Sequence, residues 1–323
     1  MSKTTPDPTR PVGRLAPSPT GRLHLGHARS FLLAWWHARS RAGSIVLRIE
    51  DLDATRMREG SVEATIEDLR WLGLDWDGEP LLQSRDTRAM EEACQHLLDR
   101  GLAYPCVCTR GEIEALSAPH AGEVEQRYPG TCRGRFASME AARQATGRDP
   151  ALRLRVPEGA IEIEDGVCGS REFDVAREVG DIVLRRRDEA FAYQLAVVVD
   201  DARQGVNDVV RGDDLLPSAA RQWRVQELLR LPHPRWWHVP LVVDEQGERL
   251  AKRRDSITLA SLREEGLDPR AIVAWVARSI GENRGALVRP RDLLQSFSLE
   301  AIPREPVRFG VEDLAVLRKS ART

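Results

Sequence analysis

The segment Ala16-Pro-Ser-Pro-Thr-Gly-Arg-Leu-His-Leu-Gly-His27 sets two prolines and a glycine between a short strand, expected over Gly13 to Ala16, and a helix expected over His24 to Arg41. A strand that passes through a stiff loop directly into a helix is the opening unit of an α/β domain built on a parallel sheet. The start of that helix offers unpaired amides and the positive end of the helix dipole, which together make an anion site. His24 and His27 are three apart and can face one bound group, while Gly26 removes a side chain that would block close approach. The plainer alternative for His-x-Gly-His is a helix cap with two surface histidines.

The pattern downstream is consistent with an α/β chain. Ser44 to Glu50 (SIVLRIE) reads as a buried strand, Ser61 as the cap of a helix through Leu72 that Gly73 ends, and Asp86 to Arg100 as another helix. From Cys106 to about Arg186 the periodicity breaks into short β-like runs, Leu152 to Val156 and Ile161 to Glu164 among them, as in an insertion. Phe191 to Asp200 (FAYQLAVVVD) reads as a fully buried strand, and Ser218 to Leu229 as a helix. Val239 to Asp244, a turn at Glu245-Gln246-Gly247 and Glu248 to Ala251 suggest a hairpin leading to Lys252. The remainder is helical in pattern, most clearly over Ala271 to Ile280. The expected organisation is a Rossmann-like catalytic domain in two halves, residues 12–105 and 191–257, split by an insertion at 106–190 and followed by a helical appendix at 258–323.

The 48 basic residues include only three lysines, Lys3, Lys252 and Lys319, so a single lysine lies in the interior of the 323-residue chain. It sits in Arg249-Leu-Ala-Lys-Arg253, where a flexible point charge suits a phosphate that gains charge during transfer. The alternative is a solvated basic loop. A net charge of −2 excludes a wholly basic nucleic-acid coat but leaves local arginine clusters free to bind phosphate. Without a long apolar run or an apolar leader, the expectation is a soluble cytoplasmic protein with no membrane partner. Five cysteines without an export signal then suggest reduced thiols or metal ligands. Cys106, Cys108 and Cys132 would supply three thiolates to a closed tetrahedral zinc site, with His120 as a fourth ligand; ordinary reduced thiols are the alternative.

A His-x-Gly-His helix start paired with a Leu-x-Lys loop more than two hundred positions later resembles the class I aminoacyl-tRNA synthetases. Arg14-Leu-Ala-Pro-Ser-Pro-Thr-Gly21, Leu47-Arg-Ile-Glu-Asp-Leu-Asp53, Asp200-Asp201 and Val210-Arg-Gly-Asp-Asp-Leu-Leu216 are similar to the glutamyl branch of that class. The family prefers Ser before the loop lysine, and here Ala251 holds that position. The resemblance implies that Arg14 and Arg211 clamp the side-chain carboxylate of L-glutamate, as guanidinium forks match carboxylates. It also implies that Ala16 and Ser18 hold the substrate's polar ends, that Glu50 pairs with its α-ammonium, and that Tyr193 hydrogen-bonds to it. His24, Gly26, His27 and Lys252 would bind ATP, with His24, His27 and Lys252 acting in catalysis beside Mg2+. The resemblance makes Tyr128 the fourth ligand of Zn2+.

The chain stops at Thr323, where the branch's ordinary members continue into a large anticodon-binding region. The closer resemblance is to a shortened paralogue, which implies activation of glutamate without tRNA and its attachment to queuosine, the modified wobble base of tRNA(Asp). Val197 stands where the full-length enzymes carry Asn, and the anticodon stem-loop would enter the cleft that normally receives an acceptor end. Other readings are a truncated synthetase charging tRNA(Glu), a non-catalytic tRNA-binding module of the same fold, and an adenylyltransferase acting on a small acid.

Overall fold

The structure, a computed structural model, describes residues 10–116, 127–250 and 257–319. Strand β1 (Val12–Leu15) leads through the proline loop into α1 (Leu25–Ser40), and the chain returns as β2 (Ser44–Ile49), parallel to β1 with Arg14 opposite Val46. Gly43 makes the return possible, since a Cβ there would lie 2.2 Å from the Pro11 carbonyl oxygen. Next come α2 (Ser61–Trp71), β3 (Leu81–Leu82), parallel to β2, and α3 (Arg88–Asp99). Ser61 is not the expected cap but the first helical residue. Gly60 precedes it at φ +74°, and that left-handed turn, rather than a hydroxyl, starts α2.

The middle of the chain contains β4 (Ala103–Cys106), α4 (Arg110–Leu116), α5 (Met139–Thr146), β5 (Ala151–Leu154), β6 (Ile161–Asp165), β7 (Gly169–Phe173), α6 (Val175–Glu178) and β8 (Ile182–Arg185). Strands β4, β5 and β8 form an antiparallel sheet, while β6 and β7 form a hairpin.

The chain then runs through α7 (Tyr193–Gln204), β9 (Asp208–Gly212), α8 (Leu216–Leu229), β10 (Arg235–Val239) and β11 (Val242–Val243). After these come α9 (Leu259–Glu264), α10 (Pro269–Arg278), β12 (Val307–Arg308) and α11 (Val311–Lys319). The apolar run expected as a strand is helix α7. Leu195 to Val199 are all buried, so no polar stripe reveals the helical period, and packing against α3, α8 and β8 overrides the strand preference of three successive valines.

Strand β10 pairs in parallel with β9 and with β6, and β11 pairs in parallel with β12. The β1 edge lies beside β9, joined by Asn207, whose N–H donates to the Val12 carbonyl at 3.1 Å and whose Oδ1 accepts from the Val12 N–H at 2.7 Å. The crevice beyond the carboxyl ends of such neighbouring parallel strands is where α/β sheets place ligands. One core joins Leu15, Trp36 and Leu47 to Leu262, Ile272 and Trp275, and a second joins Leu97 and Leu195 to Val209 and Trp236.

Candidate active site

His24 is the N-cap of α1, and its Nδ1 accepts the Gly26 N–H at 3.1 Å, while Nδ1 of His27 accepts the His24 N–H at 3.3 Å. The two rings stack with centroids 3.8 Å apart. Because both Nδ1 atoms accept, each neutral ring carries its proton on Nε2 and presents a donor away from the backbone. Burial, with the charge of Arg249, pushes His24 down to about 4; burial, then His24 and Arg249, pushes His27 down to about 3. Both rings are therefore neutral at physiological pH. Gly26 is needed here by His24 itself, since a Cβ would meet the ring's Cε1 at 2.9 Å.

The residues expected to bind glutamate come together at the ends of β1, β2 and β9 and the start of α7. The Glu50 N–H donates to Pro17 O at 3.0 Å, tying the proline loop, with Ala16 and Ser18, to the end of β2. Arg14 is buried, donates from a terminal nitrogen to Val210 O at 3.2 Å, and lies 3.6 Å from Asp201. Arg211, also buried, donates to His238 Nε2 at 3.0 Å, Gln222 Oε1 at 2.9 Å, Leu215 O at 3.2 Å and the Tyr193 hydroxyl at 3.5 Å. Its guanidinium lies over the Trp236 ring, 4.8 Å from the centroid. Burial pushes the Glu50 carboxyl above the usual carboxylate range against the pull of Arg48 and Arg14. Val197 is buried one helical turn beyond Tyr193, on the same face of α7.

Sequence reasoning missed the groups behind these side chains. Arg48, fully buried, donates to Asp201 at 2.6 Å and to Glu50 at 3.3 Å, so one arginine bridges α7 to the candidate ammonium-binding carboxylate. A charge within the apolar strand SIVLRIE is the signal that could have found it. His238, a single histidine within β10, carried a weaker signal of the same kind.

Lys252 and His120 lie outside the described residues. The residues flanking the lysine stretch do not: Arg249 pairs with Asp214 at 2.7 Å and forms a bridge with Val243, while Thr258 forms a bridge with His24. The Leu259 N–H donates to Leu23 O at 2.8 Å. The hairpin expected before Lys252 is present in its first part, with the Asp244 N–H donating to Glu248 O at 2.8 Å.

In the middle of the chain the sulfurs of Cys106, Cys108 and Cys132 all lie within 4.8 Å of one another. The Tyr128 hydroxyl stands among them, 3.2 Å from Cys106 Sγ and 3.7 Å from Cys108 Sγ, and the sulfurs of Cys108 and Cys132 are 3.5 Å apart. Tetrahedral zinc with bonds to sulfur of about 2.3 Å sets its thiolates about 3.8 Å apart, so three sulfurs and a phenol oxygen at these separations fit the ion. An open cleft of about 1170 Å³ is lined both by Cys108, Arg110 and Arg187 and by Ser18, Glu50 and Tyr193.

Residues 12–315 match the family described as tRNA synthetases class I (E and Q), catalytic domain. The chain is 44% identical over 316 residues to a glutamyl-Q tRNA(Asp) synthetase of Symbiobacterium thermophilum, covering 94% of this chain and 98% of the relative. It is 48% identical over 296 residues to the protein of that name from Nocardia farcinica, covering 91% and 92%. A crystal structure of a glutamate tRNA ligase from Elizabethkingia meningosepticum in complex with its amino acid superposes with a TM-score of 0.79 at 25% identity. That match covers 94% of this chain and 68% of the ligase.

Proposed function

This chain belongs to the class I glutamyl and glutaminyl tRNA synthetases, and from that membership we propose that it activates L-glutamate with ATP and transfers it to queuosine at the wobble position of tRNA(Asp). The observation that carries the reading is the two-way extent of the match, which spans nearly all of relatives bearing the glutamyl-Q tRNA(Asp) synthetase name.

In the first step the glutamate α-carboxylate attacks the α-phosphorus of ATP, giving glutamyl-adenylate and pyrophosphate. Arg14 and Arg211 bind the side-chain carboxylate, Ala16 and Ser18 hold the polar ends, Tyr193 donates a hydrogen bond and Glu50 pairs with the α-ammonium. His24 and His27 give Nε2–H donors to the phosphates at the start of α1, where Gly26 keeps the backbone open, and Lys252 follows the developing charge. Mg2+ accompanies the nucleotide. In the second step a hydroxyl of the queuosine ring attacks the adenylate carbonyl and AMP leaves. The anticodon stem-loop enters the arginine-lined cleft. Phosphorus chemistry of this kind asks a protein chiefly for positioning and charge stabilisation.

Cys106, Cys108, Cys132 and Tyr128 would hold Zn2+, which in a closed four-ligand site supplies cross-linking rather than reactivity. The ion would join the end of β4 to the 128–132 turn beside the cleft.

Incubation of labelled glutamate and ATP with queuosine-containing tRNA(Asp), queuosine-lacking tRNA(Asp) and tRNA(Glu) tests the reading. Label is expected only on the first. Labelling of tRNA(Glu) alone would overturn it.

A further inference from the structure

Arg211 is held in an unusual way. It is buried, yet its hydrogen-bond partners among the described residues are all uncharged: His238, Gln222, the Leu215 carbonyl and the Tyr193 hydroxyl. A buried guanidinium ordinarily sits against a carboxylate, because an unpaired buried charge is costly. The carboxylate is present but one residue removed. Asp165, at the end of β6, accepts from Nδ1 of His238 at 2.6 Å and from the backbone N–H groups of Val167 at 3.0 Å and Cys168 at 2.8 Å. His238 has no solvent exposure and stands on β10 between the two.

The donor inventory fixes the state of that ring. The Nε of Arg211 can only donate, so Nε2 of His238 must be bare, and the ring's single proton lies on Nδ1, facing Asp165. A second proton would set one N–H against another. In line with this geometry, burial pushes His238 down to about 4 against the pull of Asp165, and the His238 hydrogen bond holds Asp165 below the usual carboxylate range despite burial.

We propose that His238 is a positioning residue of the amino-acid pocket: a neutral spacer that fixes the Arg211 guanidinium through Nε2 and keeps the Asp165 charge from pairing with it. Arg211 is then held, oriented but not neutralised, against the hydroxyl of Tyr193, which lines the cleft, as recognition of an anionic side chain requires. Asp165 orients the imidazole from behind. The strand arrangement makes this possible, since β6 and β9 flank β10: Arg211 stands opposite His238, and Asp165, the last residue of β6, stands opposite Trp236, two residues before His238. The β6–β7 hairpin of the inserted region is thereby tied to the site. The proposal rests on the reading of Arg211 as a glutamate ligand.

Glutamate-dependent ATP–pyrophosphate exchange on the full chain tests it. In His238→Phe, which keeps an aromatic ring, though a larger one, and removes both nitrogens, KM for glutamate should rise about tenfold or more while kcat and KM for ATP stay within about threefold. In His238→Gln, whose amide oxygen can again accept from Arg211, most of the loss should be recovered. An unchanged glutamate KM in folded His238→Phe, or an equal rise in the KM for ATP, would overturn the proposal. Should His238→Phe fail to fold, 15N NMR of histidine-labelled wild-type protein decides, with His238 identified by the resonances lost in His238→Gln. Protonation on Nδ1 alone at neutral pH is expected, and an imidazolium or an Nε2–H form would refute it. Absence of exchange in the wild type would instead remove the reading beneath. Exchange that Arg211→Lys weakens through glutamate KM and His238→Phe does not would remove only this proposal.

Discussion

His24 and His27 show how much of a side chain's chemistry is set by its immediate contacts. An exposed histidine would be partly charged near neutrality and could meet a phosphate as a cation. Here both rings are partly buried, stacked and bonded to backbone N–H groups through Nδ1, an arrangement that suits the neutral form with a proton on Nε2. The consequence for stability has a definite sign. The folded pKa values of about 4 and about 3 lie below the unfolded value of 6.5, so the unfolded chain binds more protons between them. Their contribution is fully present above 6.5 and is lost as pH falls towards 4 and then 3. Urea denaturation should accordingly give a lower midpoint at pH 5 than at pH 7.5, with part of the difference removed in His27→Gln. An equal pH dependence in that variant would show that the ring is not held neutral.

At the scale of the element, the clearest case is the knuckle that follows β4. Two cysteines one residue apart are a weak signal in a sequence, and the structure brings Cys132 and the Tyr128 hydroxyl, both expected as ligands, to ligand spacing from them. Neighbouring elements brace the arrangement: Arg153 of β5 stacks on the Tyr128 ring at 3.8 Å, and Arg187 donates to the carbonyl of Val107, between the two cysteines. Protein purified without chelator should carry about one equivalent of zinc. Tyr128→Phe should weaken metal retention by about tenfold or more, whereas Cys94→Ser, remote in α3, should leave the metal content unchanged. Elemental analysis after dialysis against a chelator series reads both. A wild-type protein that stays metal-free while folded would refute the assignment.

Across the whole molecule, α1 and the C-terminal helices share one core. Trp36 of α1 has no exposure, donates from its indole N–H to Pro290 O at 2.7 Å, and lies 5.5 Å from the Phe297 ring. Arg29 of the same helix reaches Pro240 O at 2.6 Å and Ser279 Oγ at 3.0 Å, linking α1 to the turn before β11 and to the end of α10. A core built in this way should unfold as one unit. Trp36→Ala should cost about 3–5 kcal/mol, a large part of a typical stability of about 5–15 kcal/mol, and should lower a single urea transition. Two separate transitions, with only one displaced, would mean that the C-terminal helices fold independently of α1.

The sequence by itself determined the α/β alternation, the strand–loop–helix opening at Ala16 to His27, and the triple of Cys106, Cys108 and Cys132. These are legible because period, turn residues and short motifs are local, and chain order preserves them. Only the tertiary structure decided that Phe191 to Asp200 belongs largely to a helix, since a segment buried on every side loses the polar stripe that would betray its period. Only the tertiary structure set Arg48 behind Glu50 and His238 behind Arg211, because those partners come from different strands and helices and meet when the sheet assembles. The charge state of a buried ring depends on which atoms face it, and chain order does not specify that.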